Sequence, residues 1–299
     1  MNDSKTILVV GSTGFLGMEI CRQLTSAGKN VRGLVRKSSD PSRVEALQQM
    51  GIETVLGDIK DRSSLDAAMK DINAVISTAS STISHQEGDS IQSVDREGQL
   101  NVVDAATAAG VEKFVFISFS ESPESFPLQD AKREVEQQLK QSEMNYTILQ
   151  PTFFMDIWLS PAIGFDFPNH KATIYGDGKN KISFIAIRDV AAFAVASLDN
   201  AEASNAAIEL GGPEALSPLE VVKVFEQYGG PFDVMHVPED ALRAQKNAAS
   251  DPLQQSFTAL MLTYARGTAI DMHDQLRKFS IKPTSVADYS KKVMEPAEA

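Results

Sequence analysis

The chain has 299 residues, enough for one large domain or two modest ones with a substantial hydrophobic core. Forty acidic residues against 28 basic ones give a formal net charge of −12, which argues against non-specific binding to nucleic acid or anionic membranes. The single cysteine, Cys21, excludes an internal disulfide framework, and we expect it to be a buried, inert thiol. We see no signal peptide and no bilayer-spanning run, and we therefore expect a cytoplasmic protein.

The first 150 residues alternate short apolar strands with amphipathic helical segments. Gly28, Gly51 and Gly110 each fall where a helix should end and a strand begin. The strands are uninterrupted apolar runs, which is typical of a parallel sheet covered by helices on both faces. We predict an α/β doubly wound sheet with strands at TILVV, VRGLV, IETVLG, AVIST, KFVFIS and NYTILQ.

The pattern changes after Pro151. Residues 153–181 are rich in aromatic residues, proline and glycine, and the last 60 residues have mostly helical patterns. We expect residues 1–152 and 182–212 to form the larger α/β domain. Residues 153–181 and 213–299 should form a smaller, mostly helical domain that holds the substrate.

A glycine-rich stretch, GSTGFLG, joins the first predicted strand to the first predicted helix. Gly11 permits a tight turn, Gly14 lets a ligand approach the backbone, and Gly17 lets the helix pack on the sheet. The start of a helix offers unpaired N–H groups to phosphate. We expect a dinucleotide diphosphate to bind here rather than a glycine-rich turn without a ligand. The expected contacts are Gly11, Ser12, Thr13, Gly14, Phe15, Leu16 and Gly17.

The end of the second predicted strand carries cations instead of the acid that usually accepts from the ribose of NAD. Arg36 and Lys37 stand there in VRGLVRKS, with Arg32 at the start of the strand, and the next acid along the chain is Asp40. Such cations suit the 2′-phosphate of NADP, although a solvated basic loop would look the same in sequence. We predict NADP(H) as the cofactor, held by a Rossmann-type domain.

Several ordered motifs resemble the NmrA-like atypical short-chain dehydrogenases/reductases, which are related to isoflavone and quinone reductases. They are GSTGFLG, LVRK, GDIKD at 57–61, STAS at 77–80, VDREGQLNVVDAA with Asp95, Gly98 and Asn101, and the segment from AKREVEQQLKQS to TILQPTFFMD. The resemblance implies further cofactor contacts. They are Asp58 and Ile59 beside the adenine, Thr78, Ala79 and Ser80 after the fourth strand, Ser118, and Pro151, Thr152 and Phe153 near the nicotinamide.

The resemblance also implies that Lys132 contacts the nicotinamide ribose and assists proton transfer. A lysine near positive charge should have a lowered pKa, which suits acid–base work; the alternative is a solvated lysine on a charged helix face. The chain departs from the YxxxK pattern of the wider superfamily, because Leu128 replaces the tyrosine. The usual serine is also displaced, since Phe119 occupies its place between Ser118 and Ser120.

Two histidines, His85 and His170, are weaker candidates for proton transfer. No His, Cys or carboxylate spacing indicates a metal site. The stretch FFMDIWLSPAIGF supplies either the wall of an apolar pocket or ordinary core between domains, through Phe153, Phe154, Met155, Trp158 and Phe165.

The sequence thus favours an NADP(H)-dependent reductase that passes hydride to a small apolar or aromatic carbonyl, enone or quinone. The alternative is a non-catalytic NADP(H) sensor that acts through a protein partner, as the regulatory NmrA-type branch implies. We expect a small-molecule substrate, no nucleic acid or membrane partner, and a homodimer as one assembly the chain could form.

Overall fold

The computed structural model of the protein describes residues 5–82 and 86–295. One sheet has seven strands in the order β3-β2-β1-β4-β5-β6-β9. These strands are β1 (Thr6–Val10), β2 (Asn30–Val35), β3 (Glu53–Leu56), β4 (Ala74–Ser77), β5 (Lys113–Ile117), β6 (Asn145–Pro151) and β9 (Ala206–Leu210).

The pairing within this sheet follows the Rossmann pattern. Strand β1 pairs in parallel with β2 on one side and with β4 on the other, so the strand order reverses between β1 and β4. The same parallel pairing continues from β2 to β3, from β4 to β5 and from β5 to β6. The predicted α/β doubly wound sheet is confirmed, and its reversal point puts the carboxyl ends of β1 and β4 side by side.

The helices that alternate with these strands end where the sequence indicates. The backbone has positive φ at Gly28, Gly51 and Gly110, just after three of the helices, which confirms these glycines as helix ends. The helices of this part are α1 (Phe15–Ser26), α2 (Pro41–Gln49), α3 (Arg62–Ala68), α4 (Gln99–Ala108), α5 (Pro127–Gln141) and α7 (Ile187–Ala196). A π-helix, Ile91–Gly98, runs directly into α4.

The chain divides into two compact units. The first lies within Met1–Ser118, Pro127–Gln150 and Ala191–Ile208, and the second within Phe119–Phe126, Pro151–Val190 and Glu209–Ala299. Buried aliphatic and aromatic side chains from the strands and helices of the first unit form its core, among them Leu8, Val75, Phe114, Phe116 and Ile148.

The second unit contains a three-stranded sheet that the sequence analysis did not foresee. Its order is β10-β8-β7, with β10 (Asp233–Val237) parallel to β8 (Lys171–Tyr175) and β7 (Phe165–Asp166) antiparallel to it. The helices of this unit are α6 (Met155–Trp158), α8 (Pro218–Gly229), α9 (Glu239–Ala248), α10 (Pro252–Arg266), α11 (His273–Phe279) and α12 (Val286–Met294). Helix α8 begins with a capping box formed by Ser217 and Glu220.

Candidate functional site

The site starts at the crevice between β1 and β4, where open α/β sheets bind ligands. Gly11 follows β1 with φ +83°, and Thr78 follows β4 and donates from Oγ1 to the Val10 carbonyl at 3.1 Å. A Cβ on Gly11 would lie 2.6 Å from Thr78 Oγ1 and 2.9 Å from the Ala79 nitrogen. Glycine is therefore required where these two strand ends meet.

The glycine loop forms a cradle at the start of α1. A Cβ on Gly17 would lie 2.1 Å from the Gly11 carbonyl oxygen, so close packing of helix on loop also requires glycine. Gly14 is exposed, and among the described residues a Cβ there would meet only the Gly11 oxygen, at 3.2 Å. No side chain of the described residues caps α1, and its first turn holds no acid. Bare N–H groups and the helix dipole there fit a diphosphate.

Two side chains, one in the glycine loop and one in α2, hold the loop in ways that the sequence could not reveal. Ser12 is buried and donates from Oγ to the Leu34 carbonyl at 2.8 Å, so its hydroxyl anchors the loop to β2. Arg43 of α2 donates to the Thr13 carbonyl at 2.7 Å, and its guanidinium lies 4.8 Å from the ring centre of Phe15. Arg43 thus adds a cation beside the cradle that the sequence analysis did not name.

The end of β2 carries the cations expected there, together with an unexpected acid. Lys37 is exposed, whereas Arg36 donates from Nη1 to Asp89 Oδ2 at 2.7 Å. Lys60 donates to the other oxygen of Asp89, also at 2.7 Å. Along the chain the next acid after Arg36 is Asp40, but in the fold Arg36 contacts Asp89, which lies in a turn 53 residues further on.

Arg32, at the start of β2, belongs to a different environment. It pairs with Glu53 of β3 at 3.0 Å and donates to the carbonyls of Ala68 and Lys70. Its guanidinium joins β2, β3 and the end of α3 and leaves Arg36 and Lys37 as the cations at the carboxyl end of the strand.

The GDIKD turn after β3 is tightly held. Asp58 accepts from the Lys60 backbone at 2.9 Å, and its own N–H donates to Ser64 Oγ at 3.0 Å. Ile59 is buried in the core of the first unit, and its carbonyl accepts from Asn101 at 3.0 Å. The Ile59 side chain is therefore core, while the Asp58 carboxylate is partly exposed at the surface of the turn.

A buried glutamine, Gln99, holds the segment after β4 by two hydrogen bonds. Ser77 donates to Gln99 Oε1 at 2.7 Å, and Gln99 Nε2 donates to the Ala79 carbonyl at 2.6 Å. The hydroxyls of Ser80 and Thr82 lie 3.1 Å apart. These bonds hold Thr78, Ala79 and Ser80 in place beside the glycine loop.

The π-helix Ile91–Gly98 presents a buried carboxylate to the same end of the sheet. Asp95 is fully buried, and its Oδ2 accepts from the backbone and hydroxyl of Ser81 at 3.0 and 2.5 Å. Its Oδ1 is buried without a hydrogen bond among the described residues. The wider turns of a π-helix often accompany functional sites.

Lys132 of α5 lies opposite that carboxylate and is buried, so the alternative of a solvated surface lysine is wrong. Its Nζ is 3.9 Å from Asp95 Oδ1, donates to the Ile117 carbonyl at 3.1 Å, and lies 5.0 Å from the ring centre of Phe116. Burial lowers the pKa of Lys132 below its usual value, against the opposing charges of Asp95 and Glu136, and nearby Arg133 lowers it further. The arrangement favours a proton that can leave and return.

Ser118, at the end of β5, is turned toward a second carboxylate. Its hydroxyl donates to Glu136 Oε1 at 2.5 Å, and Arg133 and Gln150 donate to the same oxygen. Its N–H donates to the Leu149 carbonyl at 2.8 Å. The Ser118 hydroxyl is therefore engaged within the first unit.

Pro151 ends β6, and Thr152 and Phe153 follow it within the second unit. Thr152 donates from Oγ1 to the Ser183 carbonyl, and the Phe153 carbonyl accepts from Ile185 at 3.1 Å. The Phe153 ring packs edge-on against Trp158 and Tyr264, at 4.6 and 5.6 Å between ring centres. Four of the five pocket candidates, Phe153, Met155, Trp158 and Phe165, are buried in the core of this unit.

The remaining candidates add little to the site. His85 lies outside the described residues, and His170 stacks on Phe232 at 5.5 Å. Leu128 is buried, and so is Cys21, where burial raises the pKa of the thiol to about 12. No group of three His, Cys, Asp or Glu side chains in the described ranges could hold a metal ion. Nor does any helix in those ranges have the length and apolarity needed to cross a membrane.

Comparison with known proteins gives the family and the fold of the chain. A model of the NmrA-like family matches residues 3–290. The chain is 30% identical over 290 residues to the photosystem II assembly factor Ycf39 of Synechocystis sp., covering 93% of this chain and 86% of that one. It is 32% identical over 227 residues to the NAD(P)H azoreductase of Xenophilus azovorans, covering 75% and 74%.

Among solved structures, it resembles the NADPH-dependent quinone oxidoreductase QOR2 of Escherichia coli, complexed with NADPH. The TM-score is 0.77 at 22% identity, over 97% of this chain and all of that one. At this identity the likeness concerns the fold.

Proposed function

The chain belongs to the NmrA-like family, and from that premise and its site we propose that it is an NADPH-dependent oxidoreductase. The single observation that carries the proposal is the buried Lys132–Asp95 pair. The same unit contains the glycine loop before α1, a helix without a side-chain cap, and the cations at the end of β2. A binding module needs only the cradle, whereas a desolvated lysine beside a buried carboxylate is typical of an acid–base site.

The cofactor would be held by the first unit. The loop Gly11–Gly17 would bind the diphosphate, and Arg36 with Lys37 would bind the 2′-phosphate through charge-assisted hydrogen bonds. The likeness to a quinone oxidoreductase solved with NADPH supports this choice. When bound, NADPH supplies the hydride.

Lys132 would supply the proton that accompanies hydride transfer. Reduction of a carbonyl, enone or quinone leaves negative charge on the substrate, which a nearby ammonium can neutralise. Burial makes Lys132 a stronger acid than a surface lysine, and Asp95 stabilises its charged form. The pair can thus hold a proton at Nζ and release it without the missing tyrosine.

We propose a small apolar or aromatic carbonyl, enone or quinone as substrate. The names of two similar proteins, an azoreductase and a quinone oxidoreductase, describe acceptors of this conjugated kind. Because Phe153 and Trp158 are buried in the core of the second unit, this choice of acceptor rests on the two similar proteins.

A non-catalytic NADP(H) sensor is the second candidate, and one observation favours it. Lys132 Nζ already donates to the Ile117 carbonyl, which would hold the ammonium in the interior of the protein. The similarity to photosystem II assembly factors is consistent with a role through protein partners.

Two measurements on the purified protein separate these candidates. The first is the dissociation constant for NADPH by calorimetry, and the second is NADPH consumption with a panel of quinones, enones and aromatic carbonyls. An oxidoreductase binds NADPH and consumes it with at least one class. Tight binding without consumption across the panel would favour the sensor, and absence of binding to NADPH and NADH would refute both.

A further inference from the structure

The carboxylate of Asp89 is the centre of a small ion cluster at the end of β2. Its side chain is 1% exposed, and each oxygen accepts from one cation at 2.7 Å, Oδ2 from Arg36 and Oδ1 from Lys60. Lys60 also lies 3.8 Å from Asp58 Oδ2. A buried carboxylate held by two cations is strongly fixed, because losing either partner would leave its charge poorly compensated.

The turn that carries Asp89 is itself fastened to the end of β2. Ser38 donates from its hydroxyl to Gln86 Oε1 at 2.5 Å, and Gln86 Nε2 donates back to the Ser38 carbonyl at 3.1 Å. The turn then enters the π-helix through a reciprocal cap between Ser90 and Ser93. Asp89 is therefore anchored on both sides, and its position does not depend on Arg36.

A long arginine at a strand end normally samples many rotamers, and fixing it costs side-chain entropy. The ion pair with Asp89 orders the arginine before the cofactor binds, so less side-chain entropy is lost on binding. This is the usual basis of preorganised binding. Arg36 and Lys60 are balanced by Asp89 and Asp58, and exposed Lys37 gives this end of β2 a net positive charge.

We propose that Asp89 is a positioning residue that sets the preference for NADPH over NADH by holding Arg36 ready for the 2′-phosphate. This inference rests on the proposed function, which already gives Arg36 to that phosphate. Without the carboxylate, Arg36 and Lys60 would repel each other, and Arg36 would lose the ion pair that holds it in place. Only the phosphorylated cofactor would lose affinity, because NADH carries no 2′-phosphate.

The test measures dissociation constants for NADPH and NADH by calorimetry on the wild type and on Asp89→Asn. We expect NADPH binding to weaken by roughly tenfold, in keeping with the rotamer entropy of arginine, and NADH binding to stay within about twofold. Asp66→Asn is the matched control, since Asp66 pairs with Arg62 on the surface of α3. It should leave both constants unchanged.

A double variant, Asp89→Asn with Lys60→Met, separates positioning from folding. It removes one cation together with the acid, so the free energy of unfolding should recover while the cofactor preference stays lost. Equal weakening of both cofactors in Asp89→Asn would overturn the proposal, because that result indicates a structural role. Tighter NADPH binding would overturn it as well, since Asp89 would then compete with the phosphate. A wild type that binds neither cofactor would refute the proposed function itself.

Discussion

Two buried aspartates of the first unit, Asp89 and Asp95, face basic side chains in different ways. Asp89 accepts from Arg36 and Lys60 at 2.7 Å, so each of its oxygens contacts a cation. Asp95 gives one oxygen to Ser81, and the other lies 3.9 Å from Lys132 without a hydrogen bond among the described residues.

The difference fits the two roles we propose, cofactor binding for Arg36 with Asp89 and proton transfer for Lys132 with Asp95. Arginine stays charged at any physiological pH, so the tight contact with Asp89 fixes a permanent cation in place. A lysine can release its proton, and burial lowers the pKa of Lys132 while Asp95 partly opposes this effect. The longer contact with Asp95 would therefore leave the proton of Lys132 exchangeable, as its proposed acid–base role requires.

The largest expected effect follows from removing the exchangeable proton. Lys132→Met should lower kcat for quinone or carbonyl reduction by roughly a hundredfold to ten-thousandfold, the usual worth of a positioned acid, while the dissociation constant for NADPH changes far less. Lys140→Met is the matched control, because Lys140 lies on the same helix with a half-exposed side chain. If Lys132→Met keeps the turnover of the wild type, Lys132 does not supply the proton, and its pair with Asp95 has no role in the reaction.

Removing the permanent cation should have a smaller effect, on binding alone. Arg36→Ala should weaken NADPH binding by about 1.5–3 kcal/mol, the usual worth of hydrogen bonds to charged groups, and should hardly change NADH binding. Calorimetry with both cofactors measures the two losses. If both cofactors lose affinity equally, Arg36 does not contact the 2′-phosphate.

How far sequence alone reaches differs between these two pairs. The apolar strands, the glycine loop and the cations at the end of β2 are local patterns, and the Rossmann fold follows from them. The contact between Asp89 and Arg36 is not local, because 53 residues separate them along the chain. No periodicity of the sequence indicates such a contact. Lys132 was found through family resemblance, whereas its burial is a property of the folded helix packed on β5.

The second unit was harder to predict for a related reason. Strand β7 has two residues, and β10 reads DVMHV with mostly exposed side chains, so neither has the apolar run that identifies a strand. Their pairing with β8 is set by tertiary contacts, which override weak local preference.

A subtler effect is expected from Asp95, whose charge raises the pKa of Lys132. Asp95→Asn should therefore lower that pKa further and move the alkaline limb of the kcat profile to lower pH. Near neutral pH the turnover should fall by less than in Lys132→Met, because the lysine is still present. A profile that coincides with that of the wild type would mean that Asp95 does not act on the reacting proton.

The smallest effect concerns Lys113, a buried cation like Lys132, which donates to two uncharged acceptors. Its Nζ donates to Asn145 Oδ1 at 2.8 Å and to the Ala203 carbonyl at 3.2 Å. Burial lowers the pKa of Lys113 from 10.5 to about 8. Between these pH values the unfolded chain binds a proton that the folded protein has released, so the free energy of unfolding should rise with pH.

Lys113→Met should lack that rise, and denaturant unfolding of both proteins from pH 8 to 10.5 measures the difference. The gap in unfolding free energy between wild type and variant should change across this window and level off above it. Parallel curves would show that Lys113 keeps its proton when buried beside neutral groups. A buried lysine of this protein would then stay charged without a facing carboxylate. Lys113 and Lys132 would differ by their positions in the fold, and the presence of Asp95 would not explain the difference.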